Sequence, residues 1–157
     1  VQAPDQRPEA RPEPTAAPDD PEAVAAAVGR FMAARDEFSR ALGIELLELR
    51  PGYCRAGLTL AGYMVNGLGL THGAAIFALA DTAFAAACNS DGRASVALSM
   101  DIHFVRSPEP GARLLAEAEE LRRGERTALC RMRVTDASGR LIAELHGMAF
   151  RKGEAFL

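Results

Sequence analysis

Apolar positions recur along the chain with two periods, and the change from one to the other outlines a fold. From Pro21, the residues Val24, Val28, Phe31, Met32 and Phe38 follow at helical steps up to Leu42-Gly43. Proline in the first turn and glycine at the end are the start and stop signals of a helix. Ile44–Leu49 and Tyr53–Leu60 read as two strands turned at Arg50-Pro51-Gly52. Gly73 to Cys88 is mostly Ala, Phe, Ile and Leu on every side, the pattern of a long helix enclosed by protein. After Asn89-Ser90-Asp91-Gly92 the period falls to two. Val96, Leu98, Met100, Ile102 and Phe104 alternate with Ala97, Ser99, Asp101 and His103, a strand with one apolar face. Three more strands follow at Leu114–Leu121, Thr127–Thr135 and Leu141–Phe150, joined by turns at Arg123-Gly124-Glu125 and Asp136-Ala137-Ser138-Gly139. Helix, two strands, long helix, four strands: this order predicts an α+β domain whose antiparallel β-sheet wraps the long central α-helix.

One residue breaks the apolar helix. Asp81 is the only charged residue between Gly73 and Cys88, and a buried carboxylate without a partner costs several kcal/mol or shifts its pKa. It is either held by a structural hydrogen bond or kept for chemistry. Just upstream, Asn66-Gly67-Leu68-Gly69-Leu70-Thr71-His72-Gly73 leads into the helix. Gly73 falls at the N-terminus, where unpaired N–H groups can polarise a carbonyl oxygen. Asp81 lies roughly 12 Å further along the axis, too far to act with Gly73 on one carbonyl carbon. If both are catalytic, two copies with antiparallel helices are needed, giving composite sites in a dimer.

Composition narrows the setting. Val1–Pro21 holds six of the nine prolines and almost no large apolar residue, which predicts a disordered tail before a domain over 22–157. It lacks the apolar core of a secretory signal, and the apolar helix is interrupted by Asp81, so no membrane association is expected. Cys54, Cys88 and Cys130 sit apart in apolar patterns, as reduced thiols of a cytoplasmic protein do. His72, His103 and His146 show no metal-binding spacing. The net charge of −3 argues against a nucleic-acid partner, although Arg122, Arg123 and Arg126 cluster at one hairpin.

Taken together, the Asn66 to Gly73 loop, Phe77-Ala78-Leu79-Ala80-Asp81-Thr82-Ala83-Phe84, Cys88-Asn89-Ser90, the Ser99 strand and the Arg123-Gly124-Glu125-Arg126 hairpin resemble the phenylacetate-degradation (PaaI-type) acyl-CoA thioesterases of the hot-dog fold. The resemblance spans about Val28 to Arg151. It implies hydrolysis of an acyl-CoA, of the phenylacetyl or hydroxyphenylacetyl type or another short or medium acyl group. No cofactor is implied, coenzyme A being part of the substrate, and the implied assembly is a homodimer with composite sites, paired again into a homotetramer. Gly73 then resembles the residue that polarises the thioester carbonyl, and Asp81 of the facing subunit the nucleophile or general base. Asn66 resembles the residue that fixes the carbonyl or attacking water, His72 a support for the loop, and Ser99 a hydroxyl that holds water. Ala74 departs from the usual second glycine after His72-Gly73. Arg122, Arg123 and Arg126 would meet the phosphates of coenzyme A, or form only a solvated hairpin tip. Asn66 also reads as a turn residue and His72 as a packed histidine, and the pattern leaves open which face of its strand Ser99 shares with the site. A dehydratase or hydratase on the same scaffold, or a non-catalytic acyl-CoA-binding protein, are the alternatives.

Overall fold

The computed structural model describes residues 20–157; the expected tail lies outside the described residues except for its last two positions. These begin a helix, α1 (Pro21–Arg35), with Asp20 as its cap, accepting from the Glu22 N–H at 3.1 Å. The single helix expected up to Leu42 is two. Asp36 ends α1 and caps α2 (Glu37–Leu42), accepting from the Ser39 N–H at 2.9 Å and the Ser39 hydroxyl at 2.6 Å. A short carboxylate competes with the helical ladder for local N–H groups, so Asp36 starts a new helix instead of continuing the old one.

Six strands follow the expected order: β1 (Glu45–Arg50), β2 (Tyr53–Thr59), then after the long helix α3 (Gly73–Asn89), β3 (Arg93–Phe104), β4 (Arg113–Arg123), β5 (Thr127–Asp136) and β6 (Leu141–Ala155). They form one antiparallel sheet in the order β1-β2-β4-β5-β6-β3. The face under α3 is built from small residues. Ala56, Ala116, Ala118, Ala128 and Ala149 are buried there, and a Cβ on Gly147 would come within 2.9 Å of the Phe84 ring. Helix and sheet therefore pack closely, with Leu79 and Phe84 filling the space between them.

The C-terminal end of α3 is tied to the β1–β2 turn and to three strands. The Ser90 hydroxyl donates to Ala87 O at 2.7 Å and accepts from the Gly52 N–H at 2.8 Å. The Asn89 side chain accepts from the Ser95 N–H at 2.7 Å. Asp91 pairs with Arg151 at 2.6 Å and Arg123 at 2.9 Å. All three cysteines are free and buried, and Cys88 and Cys130 bring their sulfurs to 3.3 Å across the helix–sheet interface.

Two features depart from a closed core. Ala74 is exposed, and Phe77, Asp81 and Ala85 are only half-buried; at steps of three and four residues they form one open stripe along α3. The helix is thus covered on three sides, not enclosed. Strand β3, 12 residues long, is an edge of the sheet, and Val96, Leu98 and Phe104 are 45%, 58% and 54% exposed. A long apolar edge is a template for another strand.

Candidate active site

The loop before α3 folds as a miniature hairpin. Val65 bridges Thr71, the Asn66 N–H donates to Leu70 O at 2.8 Å and the Gly69 N–H to Asn66 O at 2.9 Å. Gly69 takes φ +75°, a left-handed turn that glycine enters without strain. The Asn66 side-chain oxygen accepts from the N–H groups of Leu68 and Leu70, at 2.9 and 3.2 Å. These bonds are those of a turn residue: the oxygen holds the loop, and the amide NH2 has no partner among the described residues. Thr71, buried, donates to Pro108 O at 2.9 Å and pins the loop to the segment after β3.

His72 is the N-cap of α3. Its Nδ1 accepts from the Ala74 N–H at 3.0 Å and its carbonyl from the Ala75 N–H at 3.0 Å. As an acceptor, Nδ1 carries no proton, which leaves the ring proton on Nε2. The cap consumes the second and third N–H groups of the helix; among the described residues none accepts from the first, that of Gly73. Gly73 and Asn66 line one cavity of about 430 Å³, with Leu70, Ile76, Phe104 and Arg106. A Cβ at Gly73 would lie 2.9 Å from the Phe104 ring, so the residue is glycine because this ring covers it. An unpaired helix N-terminal N–H and a free amide NH2, on two residues that line one cavity, are the donor types suited to a developing oxyanion.

Asp81 sits two turns along α3, on the open stripe, and makes no hydrogen bond or ion pair among the described residues. Burial pushes its carboxyl above the ordinary carboxylate range, and the carboxylate of Asp36 adds to the shift. Asp36 belongs to a network that the sequence did not disclose: Asp36 to Ser39, and the Ser39 hydroxyl to that of Thr82 at 2.8 Å, which donates to Ala78 O at 2.9 Å. The apolar spacing carries no signal for it, since it runs through Asp36 unbroken. This network borders a second cavity of about 410 Å³, with Met32, Ile44 and Leu46 on its apolar side.

Within one chain the remaining candidates stand apart. Ser99 is exposed and pairs with Met148, on the sheet face opposite Gly147 and the core. Arg123 forks onto Glu120 at 2.6 and 2.8 Å besides its bond to Asp91. The hairpin with Arg122 and Arg126 lies at the C-terminal end of α3, the far end of a 17-residue helix, about 25 Å long. Among the described residues no group of three or more His, Cys, Asp or Glu side chains could hold a metal ion, and no helix is long and apolar enough to cross a membrane.

An antiparallel sheet laid around one helix, with that helix's first residue on a cavity, defines a hot-dog protein. Comparison with known proteins gives the family. The thioesterase superfamily pattern matches residues 68–143. The acyl-coenzyme A thioesterase PaaI of Escherichia coli K12 is 35% identical over 118 residues, 75% of this chain and 84% of the relative. The structure of the E. coli PaaI protein from the phenylacetic acid degradation operon aligns with a TM-score of 0.84 at 32% identity, over 87% of this chain and 99% of that one. A variant of the phenylacetic acid degradation protein PaaI from Thermus thermophilus aligns with a TM-score of 0.71 at 37% identity, over 73% and 98% of the two chains. The chain belongs to the thioesterase superfamily, among its PaaI-type hot-dog members, and is a thioester hydrolase.

Proposed function

We propose that the protein hydrolyses an acyl-CoA to the free acid and coenzyme A, with phenylacetyl-CoA or a hydroxyphenylacetyl-CoA as the acyl class. The observation that carries the reading is that Gly73, its N–H unpaired, and Asn66 line one cavity, at the mouth of a helix whose Ala74 and Ala75 N–H groups His72 already takes. The Gly73 N–H and the Asn66 amide hold the thioester oxygen as it becomes an oxyanion. Asp81 either attacks the carbonyl carbon, displacing the thiolate as a mixed anhydride forms that water then opens, or removes the proton of a water that attacks directly. His72 holds the loop through its cap, and Ser99 steadies water. The association of the relatives named above with phenylacetic acid degradation supports the acyl class.

The working unit in this proposal is a dimer, itself paired into a tetramer. The exposed apolar edge of β3 and the open stripe of α3 support it, since both are surfaces that a second copy would cover. The Asp81 that serves one Gly73 then comes from the facing subunit. Three free, buried thiols suit the reducing cytoplasm.

Free-thiol release from a panel of acyl-CoAs tests the reading. Phenylacetyl or hydroxyphenylacetyl thioesters should give the highest kcat/KM, and Asp81→Asn should fold normally and lose about 10²-fold or more in kcat. Near-wild-type turnover by a folded Asp81→Asn protein would remove Asp81 from the chemistry.

A further inference from the structure

Gly73 carries its unpaired N–H at the junction of a helix and a glycine-rich loop, so the seating of the loop decides where that donor points. The backbone bonds of residues 61–72 are internal. The Met64 N–H donates to Ala61 O at 2.9 Å and the His72 N–H to Met64 O at 2.8 Å, beyond the Asn66 and Gly69 bonds already described. The His72 cap adds two bonds, both to the first turn of α3. This makes the loop a small folded unit, yet none of these bonds fixes it to the sheet. Met64 is buried in the core, but apolar packing has no preferred direction, and Gly67–Leu70 is exposed.

Among the described residues, one hydrogen bond ties this unit to the rest of the domain. It is the bond from the Thr71 hydroxyl to Pro108 O at 2.9 Å, and both residues are buried. The acceptor stands on a braced segment. Val105 and Arg106 both donate their N–H groups to Ile142 O, at 2.8 and 3.2 Å, and the Ala112 N–H donates to Glu109 O at 3.1 Å. Pro108 and Pro110 each hold their own φ fixed. Thr71 is thus a directional tether, set two residues before Gly73 and anchored on stiff backbone.

We propose that Thr71 is a positioning residue for the thioester chemistry: its bond to Pro108 O seats the loop so that the Gly73 N–H and the Asn66 amide stay directed at the cavity they line. This rests on the acyl-CoA reading of that cavity. Thr71 is buried and touches no reacting atom; it acts through Gly73 and Asn66. Misplacing such donors by about 1 Å can cost on the order of 10²-fold in rate, so a loosened tether is felt in the chemical step before it is felt in binding.

Two near-isosteric variants separate the hydroxyl from the packing. Thr71→Val keeps the shape and removes the donor, and Thr71→Ser keeps the donor and removes a methyl group. Thiol release from the best acyl-CoA should show kcat about tenfold lower or more in Thr71→Val, with KM within about twofold and with kcat largely recovered in Thr71→Ser. In an Asn66→Ala background the loss from Thr71→Val should shrink, because both changes act on the same donors. Hydrogen exchange gives a readout that needs no substrate: in Thr71→Val the 66–75 segment should exchange about tenfold faster or more while β5 and β6 do not change. Thr71→Ala, which also lacks the donor, carries the same expectations if Thr71→Val does not fold. Wild-type kcat in a folded Thr71→Val protein, an equal loss in Thr71→Ser, a loss undiminished by Asn66→Ala, or unchanged exchange would each overturn the assignment. Absence of thiol release from every acyl-CoA by the wild type, with the exchange contrast intact, would instead count against hydrolysis and uphold the tether.

Discussion

Asp81 is held in a setting that costs the folded protein stability. Its carboxyl is raised by burial first and by Asp36 second, so the ionised form is less favourable in the native chain than in the unfolded one. The penalty is absent below the unfolded carboxylate pKa, near 3.9, and grows as pH rises through the higher native value. Asp81→Asn should therefore raise Tm by a few degrees at neutral pH, with the gain vanishing near pH 3.9; scanning calorimetry across that range checks it, and an equal or lower Tm at pH 7 would contradict it. The same shift shapes activity. A base or nucleophile must be ionised, so kcat/KM should fall as pH drops through the raised pKa. Asp36→Asn keeps a good N-cap while removing the neighbouring charge, and should move that acid limb to lower pH. An unmoved limb in a folded Asp36→Asn protein would show that Asp36 acts on packing alone.

Between elements, the contact that sets the depth of the molecule is α3 over β6 at Gly147. A methyl group there would meet Phe84 at 2.9 Å and Met132 at 3.2 Å, both of them buried, so neither can swing into solvent. Gly147→Ala should cost about 1–3 kcal/mol, seen as a lowered urea midpoint. Adding Phe84→Leu should cost less than the sum of the two single changes; simple additivity would show that the clash is relieved elsewhere. This close approach also shows where pattern reading ends. The helical spacing from Val24 to Phe38, the wholly apolar run from Gly73 to Cys88, the alternation from Val96 onward and the turn signals between them gave every strand and the order of the chain, because each follows from which faces are buried. They did not give the break at Asp36, since its apolar neighbours keep helical spacing on both sides while a single side-chain cap redirects the backbone. Nor did they give Phe104 and Arg106 as neighbours of Gly73, which meet only because the segment after β3 folds back onto the loop through Thr71 and Pro108. Asp81, Gly73 and Asn66 stood out as candidates for a different reason. A lone acid in an apolar helix and an asparagine before a glycine-rich turn carry their oddity in the local sequence.

At the scale of the whole molecule, the open stripe of α3 and the apolar edge of β3 are one question. The single chain leaves Phe77 and Asp81 half-covered and Val96, Leu98 and Phe104 exposed, on the helix and strand that also frame the cavity. Burying these surfaces against a second copy would remove an unprotected edge and, with the helices antiparallel, bring Asp81 of one subunit towards Gly73 of the other across the roughly 12 Å that separates them on their own helix. Mixed subunits test this. Asp81→Asn leaves the oxyanion donors of its chain intact, and Gly73→Pro removes the first N–H while proline remains compatible with the first position of a helix. The Phe104 ring must move aside for the proline ring, so circular dichroism and oligomer mass have to show that Gly73→Pro folds and exchanges subunits. Each parent alone should be nearly inactive. In a heterodimer, one of the two sites combines an intact Gly73 with an intact Asp81, and the other combines both defects. Random exchange of equal amounts gives about half heterodimers, so activity should recover to roughly a quarter of the wild-type value per subunit. Verified heterodimers no more active than their parents would mean that Gly73 and Asp81 do not share a site.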